Sequence, residues 1–250
     1  MKIVSDCHTH TVWSDGKQEG DALVRAAIEK GLKRVVITEH GPRHLKAGLR
    51  GERIDGWLRM VDGLSKQYAG QIEVLPGIEA NLVSLDGVID VPTDRLADFA
   101  VVGVGYHLSG RGMRFIDNLF FQIGRRISNK AAASRRMTDA MIAAIEKNAV
   151  SFVTHPGHHL ALEYGRLAAA AARRGTALEI SARRGHLVFG AEDVKTMKSA
   201  GARFIINSDG HKSNEVGVFD QALALAEQAG LSAQDVVNAV GYTGVQPKGL

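Results

Sequence analysis

Short apolar segments alternate with helix-length segments along most of this 250-residue chain. Each apolar segment is rich in Val, Ile or other apolar residues, as is typical of strands that are buried on both faces. The seven candidate strands span residues 2–6, 34–38, 72–78, 99–106, 151–154, 177–181 and 203–207. Alternation of this kind predicts an α/β fold with a parallel sheet and helices packed outside it.

Helical periodicity fills most of the intervals between these strands. The predicted helices span residues 21–30, 131–147, 164–174, 191–200 and 219–228, and several are followed by a glycine suited to end a helix. Seven strands can close into a barrel or form an open doubly wound sheet, and α/β barrels of this length are commonly one domain. The sequence has neither a dinucleotide-binding glycine motif nor a P-loop motif. A dinucleotide-binding fold and a P-loop fold therefore lose their main support.

One segment, 108–130, interrupts the alternation. It is rich in phenylalanine and arginine. We expect it to form an insert near the barrel mouth, within a single domain that spans residues 1–250.

The charge balance is nearly even, with 31 basic and 27 acidic residues and a net charge of +4. This bias fits a small anionic substrate better than a nucleic acid. Cys7 is the single cysteine, which excludes an intramolecular disulfide and fits a reducing compartment. No apolar run approaches the ~18 residues of a membrane span, so we expect a cytoplasmic protein without a membrane partner. Oligomeric state is not predicted.

Histidines cluster at the C-terminal ends of the predicted strands. Six of the ten lie at or within a few residues of such an end: His8, His10, His40, His107, His155 and His211. Glu79 and Asp209 occupy the same position after strands three and seven. In an α/β barrel all these ends open on one face, where active sites lie. The sequence therefore predicts that these side chains meet.

The local spacing of these residues suits metal binding. His8 and His10 are two residues apart, so in extended backbone both rings project to one side, and Asp209 and His211 repeat that spacing. Asp15, in the loop after the first strand, adds a carboxylate oxygen. Mixed imidazole and carboxylate ligation favours Zn²⁺, Mn²⁺ or Fe²⁺ over an all-oxygen site for Mg²⁺ or Ca²⁺.

The other histidines and the cysteine have no such positional argument. We expect Cys7 to be a small buried side chain and His44 to lie on the surface. His158, His159 and His186 are candidate substrate contacts.

Together these segments resemble the motifs of the polymerase and histidinol phosphatase (PHP) family. The matching segments are Asp6-Cys7-His8-Thr9-His10-Thr11 with Ser14-Asp15-Gly16, Thr38-Glu39-His40, Pro76-Gly77-Ile78-Glu79, Gly105-Tyr106-His107, His155-Pro156 and Asn207-Ser208-Asp209-Gly210-His211. The resemblance implies a distorted seven-stranded (β/α) barrel that holds three divalent metal ions.

The resemblance also implies a ligand set for each ion. One ion would take His8, His10, Glu79 and Asp209. A second would take Asp15, His40 and His211. A third would take His107 and His155, with Glu79 bridging it to the first. Gly16 stands where some members of the family have a histidine.

The activity that follows from the resemblance is hydrolysis of a small phosphomonoester by a metal-bridged hydroxide. The residues expected to hold that hydroxide through the metals are His8, His10, Glu79, Asp209 and His211. Strand six carries no predicted metal ligand and ends in Ser181, Arg183 and Arg184. Because a guanidinium presents a fork of donors that matches phosphate, we expect this strand end to bind the substrate phosphate.

Three alternatives stay open at this point. A 3′ exonuclease or nucleotide phosphodiesterase on single-stranded nucleic acid would use the same metals, and would bind its substrate with strong salt dependence. A regulatory module would bind metals without catalysis. A metal-dependent amide or lactone hydrolase would use them to polarise a carbonyl.

Overall fold

The computed structural model describes residues 1–107, 110–112 and 130–250. The strands are β1 (Ser5–Thr9), β2 (Arg34–His40), β3 (Glu73–Asn81), β4 (Val101–Gly105), β5 (Phe152–Val153), β6 (Ala177–Ser181) and β7 (Phe204–Asn207). The described helices are α1 (Gly20–Glu29), α2 (Glu52–Gln67), α3 (Lys130–Lys147), α4 (Tyr164–Arg174), α5 (Ala191–Ser199) and α6 (Asp220–Gln228), with a 3₁₀ helix at Thr93–Asp98. The insert expected at 108–130 lies almost entirely outside the described residues. Within the described part, no helix has both the length and the hydropathy needed to cross a membrane.

All seven strands are parallel and follow one another in the sheet from β1 to β7. The first strand also meets the segment after the last one. Thr9 bridges to Gly210, and the main-chain N–H of His10 donates to the carbonyl oxygen of Gly210 at 2.8 Å. This contact nearly closes the sheet, and the predicted (β/α)₇ barrel is confirmed.

The N-terminal half of the barrel interior is apolar. Its packed side chains are Cys7, Val36, Val101, Phe152, Ala177, Ile205 and Val237. Tyr242 and Leu250, from the C-terminal segment, pack against the same cluster. Because successive residues of a strand alternate between its faces, the inward positions nearer the C-terminal strand ends are left for polar side chains.

Gly77 shows why this interior is narrow. A Cβ atom at this position would lie 2.4 Å from Cγ2 of Thr38 on the neighbouring strand. Only glycine therefore allows β2 and β3 this close approach. Glu79, two residues further along β3, points to the same interior face.

The first strand begins later than the sequence pattern predicts. The prediction of 2–6 was wrong by about three residues, because β1 spans Ser5–Thr9 and contains His8. The pairing of β1 with β2 is irregular between Asp6 and Thr9. Cys7 packs into the interior cluster. His8 follows it directly in the chain, and its ring lies 5.9 Å from the ring of Phe152, which belongs to the same cluster. This bulge lets two successive side chains reach the interior, which simple alternation excludes.

Helix α2 was not among the predicted helices. Its buried residues, Ile54, Trp57, Val61 and Leu64, have the spacing of one helical face. Gly56 and Gly63 lie between them and lower the intrinsic helix propensity. Packing against the barrel overrides that local preference.

Candidate metal centre

The structure brings all nine predicted ligands to the C-terminal ends of the strands. Seven of them line one cavity of about 260 Å³: Asp15, His40, Glu79, His107, His155, Asp209 and His211. His8 and His10 are fully buried, and their Nε2 atoms lie within 3.8 Å of carboxylate oxygens of Glu79 and Asp209. The convergence expected from the strand ends is therefore present.

Glu79 lies at the middle of the cluster and faces two sets of histidines. Its Oε2 atom lies 3.4 Å from His8 Nε2 and 3.6 Å from His10 Nε2. The same oxygen lies 2.9 Å from His40 Nδ1.

The other oxygen of Glu79 faces the opposite side. Oε1 lies 3.2 Å from His107 Nε2 and 2.8 Å from His155 Nε2. Burial alone would raise the pKa of the Glu79 carboxyl, but the imidazoles around it, first that of His107, hold the pKa well below its usual value. An ionised carboxylate with one oxygen toward each set of histidines has the arrangement of a bridging ligand.

Asp209 forms a second carboxylate contact point. Its Oδ1 atom lies 3.8 Å from His8 Nε2, 3.6 Å from His10 Nε2 and 3.5 Å from His211 Nδ1. The backbone of Asp209 has φ of 53°, in the left-handed region that a non-glycine residue rarely adopts. Such strain persists where the surrounding structure requires it, and functional sites are the usual place.

Asp15 lies at the open edge of the cluster. Its Oδ1 atom is 3.1 Å from His211 Nε2 and 3.3 Å from His40 Nε2, and its side chain is 42% exposed. Burial raises the pKa of Asp15, but the hydrogen bonds with His211 and His40 outweigh it and hold the pKa well below its usual value. At Gly16, a Cβ atom would lie 2.2 Å from the carbonyl oxygen of His10. The tight turn therefore excludes a side chain at position 16, so Asp15 supplies the carboxylate at this edge of the cluster.

Several buried polar atoms at this site have no hydrogen-bond partner. In the described part of the chain six buried side-chain atoms are in this state, and four of them are His8 Nε2, His10 Nε2, His40 Nδ1 and Glu79 Oε2. Buried polar groups are nearly always paired, so a cluster of unpaired ones needs an explanation. A divalent cation would accept a lone pair from each of these atoms, and this donor set of imidazoles and carboxylates fits a transition metal.

Within the part of the chain that the structure describes, the residues that lie close enough to share an ion form four groups. These are His10, Asp15, His40 and His211; His8, His10 and Asp209; His40, Glu79 and His107; and His155, His186 and Asp209. The groups overlap, so the residues form one continuous cluster.

Comparison with known proteins agrees with this geometry. The family model of the PHP domain matches residues 6–198, more than half of the chain. The chain belongs to the PHP domain family.

A protein of Shewanella sediminis (strain HAW-EB3) described as "Probable phosphatase" is 30% identical over 248 residues, which cover 95% of this chain and 90% of the relative. A second "Probable phosphatase", from Shewanella sp. (strain MR-4), is 31% identical over 95% of this chain and 88% of its own length.

A solved structure shows the same fold. Histidinol phosphate phosphatase from Lactococcus lactis subsp. lactis, complexed with zinc, L-histidinol and phosphate, superposes with a TM-score of 0.63 at 15% identity. The superposition covers 92% of this chain and 95% of that one.

Strand six of this PHP barrel supports the cluster through a residue that the sequence did not single out. Glu179 is fully buried, and its Oε1 atom lies 2.8 Å from His8 Nδ1 and accepts a hydrogen bond from Asn207 Nδ2 at 2.8 Å. Its Oε2 atom accepts the main-chain N–H of His155 at 2.7 Å. A proton on His8 Nδ1, donated to Glu179, leaves the Nε2 lone pair facing the cluster.

Substitution of Glu179 by glutamine tests this support. The amide keeps the size of the side chain but has one acceptor oxygen for three donors. Because such supporting partners typically contribute 10–100-fold, we expect metal affinity or turnover to fall by about that factor. Metal titration and kcat measured on the same preparation check the prediction. The exposed Glu192→Gln serves as the matched control, and wild-type values in Glu179→Gln would contradict the role.

Asn81 supports His107 in a similar way. Its Oδ1 atom lies 2.7 Å from His107 Nδ1, and its own amide donates to Asp90 Oδ2 at 2.6 Å. The ring orientation of His107 is thus fixed from the face away from Glu79.

Glu39 fixes the loop that carries Asp15. Its carboxylate accepts the main-chain N–H of Thr11 at 3.1 Å and the hydroxyls of Thr11 and Ser14. Complete burial raises the pKa of this carboxyl to about 7, against the opposing effect of those hydrogen bonds. The residue before His40 on β2 therefore holds the loop in place.

The remaining histidines also lie at the cavity, and the prediction for His44 was wrong. His44 is buried, and its ring stacks on that of His40 with centroids 4.3 Å apart. The reason is a turn after β2, in which the N–H of His44 donates to the carbonyl of Gly41 at 3.0 Å. His158 and His159 line the cavity, as candidate substrate contacts should. The buried Cys7 is confirmed.

The three residues predicted to bind phosphate lie at different depths. Arg183 lines the cavity, and its Nη1 donates to the carbonyl oxygen of Asp209 at 2.8 Å and to His211 Nδ1. Ser181 is buried, and its hydroxyl accepts the N–H of Arg183 at 3.2 Å. Arg184 lines an adjoining cavity that shares Arg183 and Asp209 with the first. Arg183 thus lines both cavities, whereas Arg184 lines only the second.

Proposed function

We propose that this protein is a metal-dependent phosphatase that hydrolyses a small phosphomonoester. The observation that carries the proposal is the ionised, buried Glu79, whose two oxygens face two sets of histidines. In the set that faces Oε2, one ring nitrogen of each of His8, His10 and His40 has no hydrogen-bond partner. Membership of the PHP family and the two relatives described as phosphatases support it.

The proposed centre holds three divalent ions, with Zn²⁺, Mn²⁺ and Fe²⁺ as the candidates. Its proposed ligands are His8, His10, Asp15, His40, Glu79, His107, His155, Asp209 and His211. Divalent ions in such a centre supply hydroxide at neutral pH by lowering the pKa of water to about 7, and they neutralise charge on phosphate oxygens.

The contribution of the chain is orientation and charge. Glu79 and Asp209 provide two buried negative charges that favour cation binding, and Glu179 sets the tautomer of His8. Arg183 projects a guanidinium into the cavity and would bind the phosphoryl oxygens through its fork of donors. In this proposal Ser181 positions the backbone of Arg183, and Arg184 contacts substrate atoms in the adjoining cavity.

The size and lining of the cavity favour a small substrate. About 260 Å³ accommodates a phosphoryl group with a small leaving group, and the lining is dominated by histidine. The net charge of +4 lacks the strength typical of a surface that binds nucleic acid. L-Histidinol phosphate is one candidate, because the Lactococcus structure contains L-histidinol and phosphate.

Arg183→Ala tests the phosphate contact. Hydrogen bonds to charged groups contribute about 1.5–3 kcal/mol, so we expect KM for a phosphomonoester to rise roughly 10- to 100-fold. Metal content should stay near that of the wild type. Steady-state kinetics with elemental analysis check both, and Arg173→Ala, an exposed arginine of helix α4, is the control. Loss of metal in Arg183→Ala would assign the residue to the support of His211 instead.

The proposed function is tested by hydrolysis of an aryl phosphate with Mn²⁺ or Zn²⁺. We expect turnover that a chelator removes and added metal restores. A panel of amino-alcohol, sugar and nucleotide monophosphates then identifies the preferred leaving group, with single-stranded oligonucleotides in parallel. If no metal supports turnover, the phosphatase proposal is refuted. Salt-sensitive oligonucleotide cleavage would favour the exonuclease.

A further inference from the structure

His186 lies at the metal cavity but is outside the ligand set that the family resemblance implies. It follows strand β6, lines the same cavity, and its side chain is 20% exposed. Its Nδ1 atom lies 2.7 Å from Oδ2 of Asp209. This contact connects the end of β6 to the carboxylate after β7.

The two oxygens of Asp209 face different partners. Oδ1 lies 3.8 Å from His8 Nε2 and 3.6 Å from His10 Nε2, whereas Oδ2 is the atom next to His186. Glu79 has the same property, with one oxygen toward each of two histidine sets. A carboxylate placed in this way can bind one ion on each side.

His155 completes a candidate ligand group with His186 and Asp209. The rings of His155 and His186 are 4.8 Å apart, and one ligand atom from each of His155, His186 and Asp209 lies within 4.8 Å of the others. Both His155 and Asp209 have a positive φ, 27° and 53°. Two neighbouring non-glycine residues in strained conformations indicate that the fold enforces this convergence.

We propose that His186 is a tenth metal ligand of this centre. It binds the same ion as His155, together with Oδ2 of Asp209. Asp209 would then bridge this ion and the ion at His8 and His10, as Glu79 does in the proposed centre. The inference rests on the proposed metal centre and deepens it.

A simpler role for His186 makes a different prediction. If its ring only donates a hydrogen bond to Asp209, any side chain that donates from the same place will replace it. Asparagine carries an N–H donor at a position close to Nδ1 of histidine, but its amide is a poor ligand for a transition metal. His186→Asn therefore separates the two roles, and His186→Ala removes both.

The test is a Co²⁺ titration of the metal-free protein in competition with a chelator, followed by visible absorption. We expect His186→Asn and His186→Ala each to lower the affinity for one Co²⁺ ion at least about tenfold. The visible absorption of that ion should change as well. The other ions should keep wild-type affinity. Glu192→Gln, an exposed carboxylate of helix α5 away from the cavity, is the control and should bind Co²⁺ as the wild type does.

Two outcomes would overturn the inference. If His186→Asn binds Co²⁺ like the wild type while His186→Ala binds it more weakly, His186 only donates a hydrogen bond to Asp209. Wild-type binding in both variants would exclude any role in the centre. Both readouts are independent of turnover, so a failure of the inference leaves the proposed phosphatase standing. The phosphatase proposal itself would instead be refuted if the metal-loaded wild type hydrolysed no phosphoester.

Discussion

Glu79→Gln is expected to lose about 1,000-fold or more in kcat/KM together with bound metal. The substitution removes the charge of the carboxylate and replaces one of its two oxygens by an amide nitrogen, so it can no longer face both histidine sets with ligand atoms. Metal ions contribute several kcal/mol of transition-state stabilisation, and each 1.36 kcal/mol is a factor of ten in rate. Elemental analysis and steady-state kinetics on one preparation measure both losses.

The fold of Glu79→Gln should survive. The amide has nearly the same shape as the carboxylate, and Glu79 lies among the polar side chains that line the cavity, outside the apolar clusters of the core. Glu192→Gln, at an exposed position of helix α5, controls for the loss of a carboxylate and should keep full activity. A Glu79→Gln enzyme with wild-type metal content and turnover would refute the bridging role.

Phe152→Ala is expected to reduce the free energy of unfolding by about 3–5 kcal/mol, the typical effect of deleting a buried aromatic ring. Phe152 is fully buried in the apolar part of the barrel interior, and its ring lies 5.9 Å from that of His8. The alanine leaves a cavity beneath the candidate metal centre, and the closed barrel is expected not to fill it by collapse.

Denaturant unfolding in the presence of a chelator measures this effect, because bound metal would add its own stabilisation to the native state. Val188→Ala, at an exposed position, is the control and should change stability by less than about 0.5 kcal/mol. A loss of under about 1 kcal/mol in Phe152→Ala would show that the interior repacks around the missing ring.

Local pattern was sufficient for most of the secondary structure. Strand β6 and helix α4 have the predicted bounds, because a short buried strand and a helical face ended by Gly175 are both encoded within a few residues. Strand β1 and helix α2 show where this fails. A bulge shifts strand β1, and the glycines within helix α2 weaken its helical pattern in the sequence. Packing with the rest of the barrel therefore decides both elements.

The position of the candidate site was also predictable from the chain. A parallel barrel brings every C-terminal strand end to one rim, so histidines after successive strands had to converge, however far apart they are in sequence. The same argument could not identify Glu179. It lies 171 residues from His8 in the chain, on the strand without a predicted ligand, and nothing local marks it as a hydrogen-bond partner.

The pattern of the chain predicted parallel strands, the rim at which their C-terminal ends meet and the types of side chain on it, whereas closure into a barrel followed from the family resemblance. Which atom faces which became known from the folded molecule alone. The two oxygens of Glu79, the two oxygens of Asp209, the stacking of His44 on His40 and the support from Glu179 all depend on distances between strands. Periodicity fixes the face on which a side chain lies, whereas the curvature and register of the closed sheet fix its partners.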